Sequence, residues 1–184
     1  VGDISITSTG GGISTARGDL NTGSGNIAGN VTIEAERNII TGNINATGSQ
    51  QSGDITIESR FGNVDISSGT LEVNSENGID GNLNIRSFTG SISVGDIDGS
   101  RNLTVAPDGE DDPFGKNEPG SSVTSDADNI NSRRGEVNLQ AHNDITINEP
   151  IEASEISNLQ IQAGRNINVN ADIDTSGGNG NIAL

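Results

Sequence analysis

The residues best suited to chemistry lie in an acidic segment near the middle of the chain. The stretch "PDGEDD" falls within residues 106–120, a segment that we call the acidic loop, and it brings together four carboxylates, those of Asp108, Glu110, Asp111 and Asp112. Carboxylates and loop carbonyl groups are the oxygen ligands that Ca²⁺ prefers. Their order matches neither an EF-hand nor a Gly-Gly-x-Gly-x-Asp repeat. The four acids are therefore candidate calcium ligands, and a solvated acidic loop is the alternative.

Groups that could act in catalysis are sparse. His142 is the only histidine, and the chain has no cysteine. Nucleophilic catalysis needs a base held beside the nucleophile, and a single histidine at a turn is far more common as a solvated residue. We expect no catalytic role for His142 and no enzymatic activity in the chain.

A polysaccharide lyase or hydrolase is the main enzymatic alternative. Such enzymes group carboxylates or a basic residue in a groove, usually beside aromatic platforms for sugar rings. The only aromatic residues are Phe61, Phe88 and Phe114. Phe61 and Phe88 are 27 positions apart, close to the repeat length described below, which favours an aromatic pair stacked in the core or at a corner. Acidic and basic residues grouped in one groove would favour the enzyme.

The stretch "ARGDL" contains an Arg-Gly-Asp tripeptide of the kind by which some ligands bind cell-surface receptors. Related stretches, such as "TGNIN" at 41–45 and "VGDID" at 94–98, have Gly-Asn or Gly-Asp before an apolar residue. Gly18 and Asp19 fill the same slot before Leu20. We interpret the tripeptide as a corner of the repeat with an exposed arginine, and receptor binding as the alternative.

These slots belong to a repeat that runs along the whole chain. Units such as "GDISI", "GNVTI", "GDITI" and "GNLNI" share a polar pair followed by apolar-x-apolar. The first apolar residue of each unit is Ile4, Val31, Ile55, Leu83, Leu103, Val137, Leu159 or Ile182. A second apolar position recurs at Ile13, Ile39, Val64, Ile92, Val123, Ile145 and Ile167. A third recurs at Leu20, Ile44, Leu71, Ile97, Ile130, Ile151 and Ile173.

Three short strands per unit, separated by Gly, Asn and Ser, predict one all-β domain over residues 1–184. One unit cannot bury its own apolar residues, but stacked units can. The pattern predicts a right-handed parallel β-helix, or β-solenoid, of about seven coils with three short strands each. Asn side chains at repeated corners are expected to stack as ladders. The acidic loop, with its Pro residues, is expected to extrude from the fifth coil.

Composition and charge exclude several classes of partner. Hydrophobic residues make up 29% of the chain and its formal net charge is −17, a combination that usually indicates disorder. Disorder is disfavoured here because the apolar residues are regularly spaced. An acidic chain is repelled by nucleic acid and by anionic membranes. No apolar run approaches the roughly 20 residues of a membrane span, so we expect neither nucleic-acid binding nor membrane insertion.

The repeat, and above all "GRNINVNADIDTSGGNGNIAL" at 164–184, resembles the repeat region of filamentous-haemagglutinin-type exoproteins of two-partner secretion. The resemblance implies export to the bacterial surface and a role as a stalk, adhesin or matrix fibre with a surface glycan or receptor as partner. The Asn-Pro motifs of the family's secretion domain are missing, because no Pro here follows Asn. The resemblance therefore concerns the repeat region alone.

The first and last units, "VGDISI" and "GNIAL", are regular and show no capping segment, although solenoids normally cap their ends. This predicts either flanking coils of a longer chain or end-to-end self-association, in which Ca²⁺ would relieve charge repulsion. The expected function is a structural or adhesive element of an extracellular fibre. A calcium-dependent adhesion module and the polysaccharide-acting enzyme are the alternatives.

Overall fold

The computed structural model describes residues 2–23, 25–75, 77–99, 101–106, 123–125, 130–131, 135–141, 143–148, 150–152, 156–174 and 181–184. These residues form short β-strands joined by turns, and no helix occurs among them. In chain order the strands are β1 (Ile4–Ser8), β2 (Ile13–Ser14), β3 (Leu20–Asn21), β4 (Val31–Ala35), β5 (Ile39–Ile40), β6 (Ile44–Asn45), β7 (Ile55–Ser59), β8 (Val64–Asp65), β9 (Thr70–Glu72), β10 (Leu83–Ser87), β11 (Ile92–Val94), β12 (Asp96–Asp98), β13 (Leu103–Ala106), β14 (Val123–Ser125), β15 (Ile130–Asn131), β16 (Gly135–Ala141), β17 (Asp144–Ile147), β18 (Ile151–Glu152), β19 (Ile156–Ala163), β20 (Asn166–Val169), β21 (Ile173–Asp174) and β22 (Asn181–Ala183).

Every third strand belongs to the same sheet. The first sheet contains eight strands in the order β1-β4-β7-β10-β13-β16-β19-β22, and the other two contain seven strands each. Every pairing between these strands is parallel. Each coil therefore contributes one strand to each sheet and lies about 4.8 Å from the next coil. The predicted all-β parallel β-helix is confirmed.

The strand registers place the predicted apolar positions directly above one another. In the first sheet Ile4 pairs with Val31, which pairs in turn with Ile55. In the second sheet Ile13 pairs with Ile39, and in the third Leu20 pairs with Ile44. The three columns continue through every later coil as predicted from the sequence.

The core is a narrow shaft that these columns fill. In β4 the side chains of Val31, Ile33 and Ala35 are buried, whereas Thr32 and Glu34 point outward. This alternation is the ordinary two-residue period of a β-strand. Only the inward positions need apolar residues, which is why a chain with 29% hydrophobic residues can form a buried core.

Polar ladders run along the corners, as predicted. Before β4, β7 and β10 of the first sheet, the backbone N–H of the corner residue donates a hydrogen bond to the side-chain Oδ1 of the equivalent residue one coil earlier. The bonds run from Asn30 N–H to Asp3, from Asp54 N–H to Asn30 and from Asn82 N–H to Asp54, each at 2.8 Å. These bonds satisfy backbone donors that precede the strands and fix the stacking of consecutive coils.

The other two corners have the same kind of hydrogen bond, from a backbone N–H to a side-chain Oδ1 one coil earlier. Before the second sheet, Asn63 N–H donates to Asn38 Oδ1 and Ser91 N–H donates to Asn63 Oδ1, both at 2.9 Å. Before the third sheet, Thr70 N–H donates to Asn43 Oδ1 at 3.0 Å. Asn recurs at these corners because its side chain can accept from one neighbouring coil while its backbone donates to the other.

The predicted extrusion of the acidic loop concerns residues that are almost all outside the described ranges. Ala106 belongs to β13 and pairs with Arg86 of β10. Residues 107–120 lie outside the described residues, so the extruded loop stays a prediction. Among the described residues there is no helix with the length and apolar character needed to cross a membrane.

Candidate functional site

The four candidate calcium ligands, Asp108, Glu110, Asp111 and Asp112, and also His142, lie outside the described residues. Their predicted roles therefore stay predictions. Among the residues that the structure does describe, no group of three or more His, Cys, Asp or Glu side chains could hold a metal ion.

The Arg-Gly-Asp tripeptide lies on an exposed turn between β2 and β3, where Gly18 N–H donates to the carbonyl of Thr15 at 3.0 Å. Asp19 occupies the corner position before the third sheet. Its Oδ1 accepts a hydrogen bond from Asn43 Nδ2 at 3.1 Å, and the next residue, Leu20, pairs with Ile44. The interpretation of Gly18 and Asp19 as a corner of the repeat is confirmed, and Asp19 has a structural role in the ladder.

A groove of about 770 Å³ lies beside the first sheet in the described coils. Its lining residues come from the outward face of β1, β4 and β7 and from the corner that follows these strands and β10. They are Thr7, Ser8, Thr9, Glu34, Ala35, Glu36, Glu58, Arg60, Phe61, Phe88 and Thr89. The groove thus combines three carboxylates, one guanidinium and two aromatic rings.

One ion pair and one aromatic contact organise the corner side of the groove. Arg60 Nη1 lies 3.3 Å from Glu36 Oε1, and Arg60 Cζ lies 5.2 Å from the centroid of the Phe61 ring. The two contacts hold the guanidinium between a carboxylate and an aromatic face. Because both partners are partly or largely exposed, each contact contributes about 1 kcal/mol or less.

The two aromatic residues do not stack in the way that their sequence spacing suggests. The register pairs Ser59 with Ser87, so Phe88 is level with Arg60, and Phe61 is level with Thr89. The rings are therefore offset by one position at the corner. Phe61 is 60% exposed and Phe88 is 37% exposed, so the corner interpretation is right and a core position is wrong for both.

A second ion pair links the sixth and seventh coils away from the groove. Arg165 Nε donates to Asp144 Oδ1 at 2.8 Å, and Arg165 Nη2 also contacts Asp144 Oδ2. Asn166 Nδ2 donates to the same carboxylate at 3.0 Å. These donors, the Arg165 hydrogen bond above all, lower the pKa of Asp144 to about 2. The cluster links the sixth coil to the seventh.

Three comparisons with known proteins give no relative: no family model matches the chain, and neither the curated proteins nor the solved structures contain a match. The resemblance to filamentous-haemagglutinin-type repeats therefore stays a prediction. The groove was not predicted from the sequence, because its lining residues come from four different coils.

Proposed function

We propose that the chain is a structural and adhesive segment of a β-solenoid fibre outside the bacterial cell. The observation that supports this best is the repetition of the three parallel sheets along the described coils, in which the apolar columns stay aligned apart from one register irregularity at Gly135 of β16. A fold of this kind contacts only its neighbours along one axis. It produces length and stiffness rather than an enclosed pocket, which are the properties of a stalk.

The apolar shaft is less covered in its first and seventh coils than in the coils between them. Ile4, Ile13 and Leu20 of the first coil, and Ile167 and Ile173 of the seventh, are only partly buried, whereas the equivalent residues of the inner coils are fully buried. An open strand edge offers backbone groups with which another strand can pair.

Electron microscopy of the purified chain at micromolar concentration tests this proposal. A stalk segment gives stiff rods, roughly 34 Å long if about seven coils each rise about 4.8 Å. Copies that associate end to end give filaments whose length grows with protein concentration. Filaments that disappear in chelator would assign the end contacts to Ca²⁺ and support the calcium-dependent module. Compact round particles in every buffer would contradict the structural role.

The groove favours a polysaccharide-acting enzyme as a second candidate. Glu34 and Glu58 are Cα partners on adjacent strands, and adjacent strands lie about 4.8 Å apart. Retaining glycosidases hold their two carboxyl groups about 5–5.5 Å apart, and Arg60 and two aromatic rings lie in the same groove. Release of reducing sugars from neutral polysaccharides, lost in Glu58→Gln and kept in Asp172→Asn, would establish this candidate. No release from any polysaccharide would remove it.

A further inference from the structure

Two carboxylates in the groove have no hydrogen-bond or ion-pair partner within the described part of the chain, namely Glu34 and Glu58. They are Cα partners in the register of β4 and β7. Like charges directly opposite one another on neighbouring strands are unfavourable. Arg86, the next residue in this column, donates through Nε to Asn84 Oδ1 at 3.1 Å instead. A positive charge supplied from outside would therefore relieve the repulsion.

The groove already contains one example of how such a charge is held. The guanidinium of Arg60 lies between the Glu36 carboxylate, 3.3 Å away, and the Phe61 ring, whose centroid is 5.2 Å away. Glu58 and Phe88 offer a carboxylate and a partly exposed ring in the same groove. This second pair has the same two kinds of group, and the guanidinium nearest to it in the register, that of Arg86 opposite Glu58, donates to Asn84 rather than to Glu58.

We propose that the groove binds arginine side chains of a positively charged, extended peptide segment from a partner protein. Charge complementarity favours this occupant, because the groove holds three carboxylates against one guanidinium and the chain carries a net charge of −17. An anionic glycan would be repelled. A metal ion is disfavoured because the described residues contain no group of three ligands that could hold one. The site goes beyond the structural role, which does not depend on it.

Titration of the whole chain with an acetylated, amidated tetra-arginine peptide tests the proposal. Binding is followed by NMR amide shifts, which locate the peptide, and gives a Kd for each variant. Phe88→Ser and Glu58→Gln remove one group each from the second pair. Asp172→Asn is the matched control, because it removes the same charge from an exposed position in the seventh coil. That position is four coils from Glu58, roughly 19 Å, which exceeds the Debye length of about 8 Å at physiological salt.

We expect amide shifts at groove residues, about a threefold weaker Kd in each groove variant, and a Kd within about twofold of the parent in the control. Far-UV circular dichroism confirms that the variants fold, which is expected because both side chains are at the surface. Equal weakening by the control would mean diffuse charge attraction and would overturn the site. Groove shifts caused by a neutral chito-oligosaccharide, but not by the peptide, would overturn the choice of occupant. Rods in the microscope without peptide binding would overturn this inference and leave the structural role standing.

Discussion

Ile39 and Ile40 are neighbours in β5 that point to opposite faces of the sheet, and replacing each of them by alanine tests the solenoid core directly. Ile39 is fully buried and Ile40 is 40% exposed. Ile39→Ala removes three buried carbon atoms, or roughly 2.4 kcal/mol of transfer free energy at about 0.8 kcal/mol each. The cavity left behind adds about 24 cal/mol per Å³. The expected loss in the free energy of unfolding is therefore about 3–4 kcal/mol.

Ile40→Ala opens no enclosed cavity and exchanges a half-exposed β-branched residue for a poor strand former. Its expected cost is about 1 kcal/mol. For a chain of this length, about 1 kcal/mol corresponds to a fall in Tm of roughly 2–4 °C. Ile39→Ala should therefore lower the Tm by roughly 6–16 °C, and Ile40→Ala by less than half of that.

The assay is thermal unfolding followed by far-UV circular dichroism, because the chain has no Trp or Tyr to report by fluorescence. Identical residues in adjacent positions of one strand make each variant the control of the other. An Ile40→Ala variant that loses as much Tm as Ile39→Ala would refute the assignment of inward and outward faces, and with it the register of the second sheet.

Three further predictions concern the corners and the Asp144 carboxylate. Asp54→Ala removes the acceptor of two hydrogen bonds from Asn82 and should cost about 1–2 kcal/mol in thermal or urea unfolding, whereas Asp54→Asn should keep most of the stability. The pKa of Asp144 is lowered to about 2 by Arg165, so its contribution to stability is present above the ordinary value of about 4. That contribution is lost as the pH falls through the pKa of Asp144 in the folded protein. Asp144→Asn should therefore flatten this part of an acid-unfolding curve. An unchanged curve would argue against the ion pair. Gly99 has φ of +67° and a Cβ there would lie 2.3 Å from the Asn74 Cβ, so Gly99→Ala should lower the Tm, whereas Gly18→Ala, with open space around it, should change the Tm little.

The sequence was sufficient to predict the fold because the repeated positions carry the same physical requirement in every coil. Ile4, Val31 and Ile55 must all fill the shaft, so their type is constrained and their spacing reveals the register. Asn30 and Asn63 were likewise predictable as ladder residues, because a corner that recurs in each coil needs the same donor and acceptor each time.

The groove could not be predicted because it depends on differences between coils rather than on what they share. Phe61 and Phe88 are 27 positions apart, but the register of their coils advances by 28, from Ser59 to Ser87. Because the spacing of the two Phe residues is one residue shorter than this advance, Phe88 lies level with Arg60 rather than with Phe61. Contacts between exposed side chains carry no periodic signal, so only the structure could bring these residues together.

The corner ladders have a direction, and this direction has a consequence for assembly. In the ladder bonds described above, the later coil donates and the earlier coil accepts. Examples are the bonds from Asn30 N–H to Asp3 Oδ1 and from Asn82 N–H to Asp54 Oδ1. In these ladders the corner N–H groups face the earlier coil and the side-chain acceptors face the later coil, so the ladders give the rod a direction, although backbone N–H groups of the strands also donate to the later coil. Two rods that meet at like ends would oppose donor to donor or acceptor to acceptor. Only contact between unlike ends continues the ladders, and contacts of that kind make open, unidirectional filaments rather than closed symmetric dimers.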